Sequence, residues 1–384
     1  MRLLVIDDEE DICEIIAEIA TRHGLETKTL SNPEQVSALL GEFKPDMIML
    51  DLMMPGTDGV ELLRVLAENA KGAKLCLISG SDARVLNSAR RLGSAHGLDV
   101  ISALEKPLNM SILNALFDQM AAAGSAKDVE VDMAQAISSG QFILHYQPVI
   151  DLKTLRVKGA EALARWTHPH RGLLMPDTFL EHVVNDGLMQ SLTDVVIQTA
   201  VTQAAKWHNN GEDLTLSMNV TASALLDLTL PDRVADLAAQ KKVPTEKLIL
   251  EVTETEAMRD VTRTMDVLLR MRIRNIGVSI DDFGTGHSSL RELQRMPFSE
   301  MKIDKSFVTD LATNKDCAVI VNSIIDLGHN LGLKIIAEGV EDARTWRILV
   351  DRGCDFAQGY FMGRPMPAVE FEEWLKNWRT KPPI

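Results

Sequence analysis

Nowhere does this chain of 384 residues offer the roughly 18 consecutive apolar residues that a membrane-spanning helix needs. Its opening stretch, "MRLLVIDDEE", meets acidic residues too soon for a secretory leader. The expectation is a cytoplasmic protein with no membrane partner. Cysteine is scarce. Cys13, Cys76, Cys317 and Cys354 are the only four, they lie far apart, and no CxxC spacing occurs. A disulfide framework and a cysteine zinc site are thereby excluded, which leaves reduced packing residues. Basic charge is also in short supply: 40 lysines and arginines face 55 aspartates and glutamates, for a net charge of -15. No basic run has the length of a nucleic-acid patch, and nonspecific nucleic-acid binding runs on phosphate neutralisation by lysine and arginine. Nucleic acid is therefore not an expected partner. A small phosphorylated ligand held by a few local groups remains open.

What is present is an ordinary globular composition, 46% hydrophobic and 25% charged, long enough for two domains. Up to about Met120, short apolar runs ("RLLVID", "TKTL", "DMIMLD", "KLCLIS", "DVISAL") alternate with amphipathic stretches such as "EEDICEIIAEIA". Five βα units of this kind predict an α/β domain with a doubly wound, five-stranded parallel sheet. A polar segment around Gly124 then reads as a linker. The expected division is a first domain over 1–122, a linker over 123–132 and a second domain over 133–384. Within the second domain eight further strand candidates alternate with helices: "FILHYQPVI", "VKGAEALARW", "LTLSMNV", "LILEVTET", "IGVSIDD", "EMKIDKSF", "LKIIAEGVE" and "DFAQGYFM". Eight such units over about 250 residues predict a (β/α)8, TIM-like barrel.

Polar residues fall where function would need them. Asp7, Asp8, Asp51, Ser79 and Lys106 cluster at strand ends in the first domain, the sheet edge where ligands bind in open parallel sheets. Clustered carboxylates repel one another unless a hard divalent cation sits among them. In the second domain Glu161, Asn219, Glu251, Asp281, Asp282, Lys302, Glu338 and Gln358 interrupt otherwise apolar strands or end them. Five carboxylates and an amide would suit two Mg²⁺ or Mn²⁺ ions about 3.5 to 4 Å apart, the apparatus of phosphodiester hydrolysis. In "GAEALARW", period 2 puts Glu161, Leu163 and Arg165 on one strand face, so that Arg165 is available to a substrate phosphate beside the metals.

Two resemblances add to this reading. Residues 1 to about 120, with "DLMMPGTDG" and the "KP" pair, resemble a response-regulator receiver domain. That implies Asp51 as phosphoacceptor, Asp7 and Asp8 as partners of one Mg²⁺ together with Asp51, Ser79 and Lys106 against the phosphoryl group, and a sensor histidine kinase as partner. Ala103 stands where the family usually has an aromatic switch residue. Residues 133–384, with "EALARW", "EVTET", "DDFGTGHSSL", "KIDKSFV", "AEGVE" and "QGYFMGRPMP", resemble the EAL family of cyclic di-GMP phosphodiesterases. The implied activity is phosphorylation-regulated hydrolysis of cyclic di-GMP to linear pGpG.

The EAL resemblance also implies roles. Glu161, Asn219, Glu251, Asp281 and Asp282 are the implied metal ligands, with Asp281 the bridge. Glu338 is the implied general base and Lys302 its catalytic partner. Substrate contacts fall to Leu163, Arg165, Gln147, Asp304 and Gln358. Glu254 anchors the loop after Asp282, and Glu341 supports the site. One reversed barrel strand and a homo-oligomer, a dimer or larger, are expected as well. His287 replaces the commoner tyrosine of that loop, where Ser288 also fits a helix N-cap. The competing reading is a module that binds cyclic di-GMP without cleaving it, against which every ligand position carries a competent side chain. Two features take a plain reading: His168 and His170 in "THPHRG" are expected in a polar turn, and Trp374 and Trp378 form a packing face.

Overall fold

Alternate residues of the first strand go to opposite sides of a sheet. Leu3 and Val5 join one buried cluster with Met47 and Met49, whereas Leu4 and Ile6 join another with Ile48 and Leu50. That pattern is what a parallel sheet covered by helices on both faces requires. The computed structural model describes residues 1–54, 59–70, 72–80, 83–108, 110, 112–114, 116–118, 132–285 and 290–380, and divides into two units, Met1–Glu130 and Val131–Ile384. In the first unit β1 (Arg2–Ile6), β2 (Glu26–Leu30), β3 (Met47–Asp51), β4 (Lys74–Ser79) and β5 (Asp99–Glu105) are parallel in the order β2-β1-β3-β4-β5. The expected linker lies outside the described residues except for Asp132, whose side chain accepts a hydrogen bond from Gln135 N–H and caps the helix Met133–Ser138.

The second unit contains β6 (Phe142–Asp151), β7 (Val157–His168), β8 (Gly172–Leu174), β9 (Thr215–Asn219), β10 (Leu248–Thr253), β11 (Gly277–Phe283), β12 (Glu300–Ile303), β13 (Lys334–Ala337) and β14 (Phe356–Gln358). The order is β6-β14-β13-β12-β11-β10-β9-β7, and the β6–β7 pairing closes this ring of eight, with β8 appended to β7. The expected barrel is present. β6 runs antiparallel to both its neighbours, which is the reversed strand the resemblance implied. Gly159 lets β9 come close, since a Cβ there would stand 2.0 Å from the Thr215 carbonyl oxygen.

Outside the strands, Trp207 fills the space between its own helix, Met189–Asn209, and the final helix, Ala368–Thr380. Its ring centroid is 4.9 Å from that of Phe371 and 5.0 Å from that of Tyr146. Truncating so large a buried ring would cost about 3–5 kcal/mol. Trp378 is buried and Trp374 packs on the same core, their rings 5.1 Å apart, the packing role expected of them. All four cysteines are buried and unbridged. Among the described residues no helix is long and apolar enough to cross a membrane.

Candidate active site

The first unit brings its acidic residues together as anticipated. Asp7, Asp8 and Asp51 can each offer an oxygen within 4.8 Å of the others. Lys106, directly after β5, lies 2.6 Å from Asp51 and 3.0 Å from Asp7. It also pairs with Glu9 at 2.7 Å, a contact sequence reasoning missed, although Glu9 directly follows the two aspartates. Burial pushes the Asp7 carboxyl up, with the neighbouring Asp51 charge adding to it. Ser79 ends β4 fully buried. Ala103 is half-buried and packs against the core on one face of the sheet.

In the barrel, the polar residues that interrupt strands converge at the carboxyl ends. Lys302, on β12 and only 1% exposed, sits among four carboxylates: Glu338 at 2.5 Å, Glu251 at 2.9 Å, and Glu161 and Asp281 at 3.3 Å each. Two carboxylate triads emerge, Glu161–Glu251–Asp281 and Asp281–Asp282–Glu338, each with oxygens within 4.8 Å of one another. Asp281 belongs to both. Asn219, at the end of β9, donates its amide to Glu161 at 2.8 Å.

One ammonium cannot satisfy so many acids. Burial, then the Glu161 charge, drives Glu251 well above the carboxylate range. Burial pushes Glu338 up to about 8, and burial with the adjacent Asp281 pushes Asp282 up to about 6. Glu161 goes the other way: burial opposes its charge, but Lys302 and the amides of Gln358 and Asn219 outweigh burial and hold it below its ordinary value. A cluster that must stay partly protonated for want of positive charge, built wholly of hard oxygen donors, fits divalent cations.

The surroundings fix these groups. Gln358, the last residue of β14, donates to Glu161 at 2.7 Å and to Gln147 at 3.0 Å, and Gln147 in turn donates to the Gly363 carbonyl. Glu254 is buried and accepts the N–H of Gly284, which directly follows β11, at 3.0 Å. Gly286, His287 and Ser288 of that loop lie outside the described residues. Asp304 spends its carboxylate on the N–H and hydroxyl of Ser306, capping the short helix Lys305–Val308.

Above the carboxylates opens a cavity of about 380 Å³. The Glu161–Leu163–Arg165 face of β7 looks into it, alongside Gln147, Gln358 and the exposed Glu341. Arg165 is buried, donates one nitrogen to the Ala164 carbonyl, and has a buried Nε without a hydrogen-bond partner. Pro176, Lys305, Thr309 and Tyr360 complete walls that sequence reasoning did not single out. Tyr360 and Lys305 do lie within the quoted "QGYFMGRPMP" and "KIDKSFV" stretches. Arg364 lies 4.1 Å from the Tyr360 ring centroid. One expectation is corrected: His168 is no turn residue but the buried end of β7, its Nδ1 accepting the N–H groups of His170 and Arg171 at 3.1 Å each.

Comparison with known proteins agrees with this arrangement. The family model for the EAL domain matches residues 130–365, and that for the response regulator receiver domain matches residues 3–118. The bifunctional diguanylate cyclase/cyclic di-GMP phosphodiesterase MucR of Pseudomonas aeruginosa is 41% identical over 240 residues, which cover 62% of this chain but 35% of MucR. The cyclic di-GMP phosphodiesterase RocR of the same organism is 29% identical over 388 residues, covering 98% of this chain and 99% of RocR. Among solved structures, a MucR phosphodiesterase in complex with cyclic di-GMP shares 40% identity at a TM-score of 0.60, covering 62% of this chain and 98% of that one. The chain belongs to the EAL domain family and carries a response regulator receiver domain ahead of its barrel.

Proposed function

We propose that this protein hydrolyses cyclic di-GMP to linear pGpG in its barrel, and that phosphorylation of Asp51 by a sensor histidine kinase regulates the reaction. The observation that carries the proposal is the pair of carboxylate triads sharing Asp281 beneath a cavity with Arg165 in its wall. Glu161, Asn219, Glu251, Asp281 and Asp282 would hold two Mg²⁺ or Mn²⁺ ions, Asp281 being the residue common to both carboxylate triads. When bound, such ions neutralise the phosphodiester and make water a better nucleophile.

The remaining work belongs to the chain. Glu338, in contact with Lys302, accepts a proton from the attacking water. Lys302 keeps that carboxylate aimed and steadies the charge that develops. The Gln147–Gln358 amide pair fixes Glu161 in orientation. Arg165 brings its guanidinium to a substrate phosphate, and Leu163 gives the same wall an apolar surface. In the receiver, Asp51 is the phosphoacceptor, Asp7 and Asp8 would hold one Mg²⁺ with it, and Lys106 and Ser79 receive the phosphoryl oxygens.

The test is incubation of the purified chain with cyclic di-GMP and Mg²⁺, followed by chromatography of the products. Appearance of pGpG with loss of the cyclic dinucleotide is expected. Binding without turnover would convert the reading to that of a sensor.

A further inference from the structure

The cavity over the carboxylates carries two cations, and only Arg165 has been given a partner in the substrate. Arg165 is on β7, and Lys305 follows the end of β12 by two residues. In the closed ring three strands separate β7 from β12 in either direction, β9, β10 and β11 one way and β6, β14 and β13 the other. The two cations therefore rise on opposite sides of one mouth while lining the same cavity. Lys302, below them, is consumed by its four carboxylates. Lys305 is exposed, and among the described residues no acidic side chain forms an ion pair with it.

Its stem is held in place. The turn after β13 settles directly on it, and a Cβ at Gly339, where φ is +71°, would stand 2.6 Å from Lys305 Cβ and 3.3 Å from Thr309 Oγ1. Thr309, whose N–H bonds to the Lys305 carbonyl, adds a hydroxyl to the same wall. Resting on the reading of the substrate as a cyclic dinucleotide, the geometry then meets a ligand with two phosphodiester charges on opposite sides of its ring. We propose that Lys305, with Thr309, anchors the second phosphate, the one Arg165 does not hold. The mouth thus selects ligands with two separated anions, since each phosphate in so acidic a site needs its own cation.

The test measures cyclic di-GMP binding to the full chain in Ca²⁺, chosen to keep the ligand intact, for the parent, Lys305→Met, Lys305→Arg, Arg165→Met and the double Met variant. Lys305→Met is expected to raise Kd about tenfold, an effect typical of one charge-assisted contact. Lys305→Arg should recover most of that loss. In the double variant the two losses should multiply, because they concern different phosphates. An unchanged Kd for Lys305→Met, or an arginine variant no better than methionine, overturns the assignment. So does a double variant no weaker than the worse single one, which would put both cations on one phosphate. Turnover of the parent in Mg²⁺ is read separately. If the parent binds the ligand but never cleaves it, the proposed reaction fails while the anchor stands; if it does not bind, both fail.

Discussion

Each half of this protein sets a lysine among carboxylates, and the two settings differ in how far water reaches them. Lys106 keeps 14% of its side chain exposed beside Asp51 and Asp7, whereas Lys302 keeps 1% among four carboxylates. The charge tally differs too. Leaving out the exposed Glu9, three receiver aspartates face one lysine, an excess that one divalent ion cancels. Five barrel carboxylates face one lysine, an excess that takes two. Burial weakens dielectric screening and makes every uncompensated charge costlier. The receiver pocket is therefore the one that water reaches, and the barrel pocket the one whose charges must be balanced in place.

The comparison breaks most visibly if the barrel works without metal. Excess EDTA should reduce cyclic di-GMP turnover to background, because the carboxylates alone repel a phosphodiester. Undiminished turnover would remove the charge argument altogether. Calcium, larger and irregular in coordination, should inhibit as well.

Next in size is the split between base and ligand. Glu338→Gln should retain substrate binding and lower kcat by about 10² to 10⁴, the usual worth of a positioned base. Glu161→Ala should lose activity through weaker metal affinity, so raised Mg²⁺ restores part of it. A metal-rescued Glu338→Gln beside an unrescued Glu161→Ala would reverse the two roles.

A smaller effect comes from pH. Glu338, pushed up to about 8, and Asp282, pushed up to about 6, must give up protons when cations bind. Apparent metal affinity should rise from pH 6 to pH 8, with protons released on binding. Calorimetry in two buffers of different ionisation enthalpy measures that release. The sign for folding is opposite. A carboxyl whose folded pKa is raised binds its proton more tightly in the native state, so the metal-free chain loses stability as pH climbs from about 4.5 toward 8. Thermal melts with and without Mg²⁺ across that window check both signs.

The smallest expected effect sharpens the contrast from the other side. Asp51→Asn should abolish labelling by a small phosphodonor yet leave turnover without donor within twofold of the parent. Donor treatment should change the parent's turnover and not the variant's. Equal responses in both would remove the receiver from control of the barrel.

Much of this was legible because β-structure has a period of 2. The alternation in "GAEALARW" put Glu161, Leu163 and Arg165 on one face, and that face lines the cavity. Polar residues at the ends of apolar runs marked Asn219, Glu251, Asp281, Lys302 and Glu338 for a related reason: a polar or ionisable group at a barrel strand's end needs a partner. The walls were less legible. Lys305, Thr309 and Tyr360 stand on segments after strands, where no periodicity says which way a side chain faces. His168 was misjudged because proline and glycine neighbours suggested an open turn, while its imidazole is committed to satisfying two backbone amides. The direction of β6 came from resemblance, since a strand's pattern reads the same in either direction.

The clamp on Glu161 has a consequence for how this molecule comes into being. One amide of the clamp belongs to β6, the barrel's first strand, and the other to β14, its last. A chain emerging from the ribosome thus carries every other carboxylate of the site well before Gln358 arrives to fix Glu161. The clamp is complete only when the final strand docks against the first and closes the ring. A chain cut short before Phe356 would keep all its acids and lack the Gln358 amide that holds Glu161.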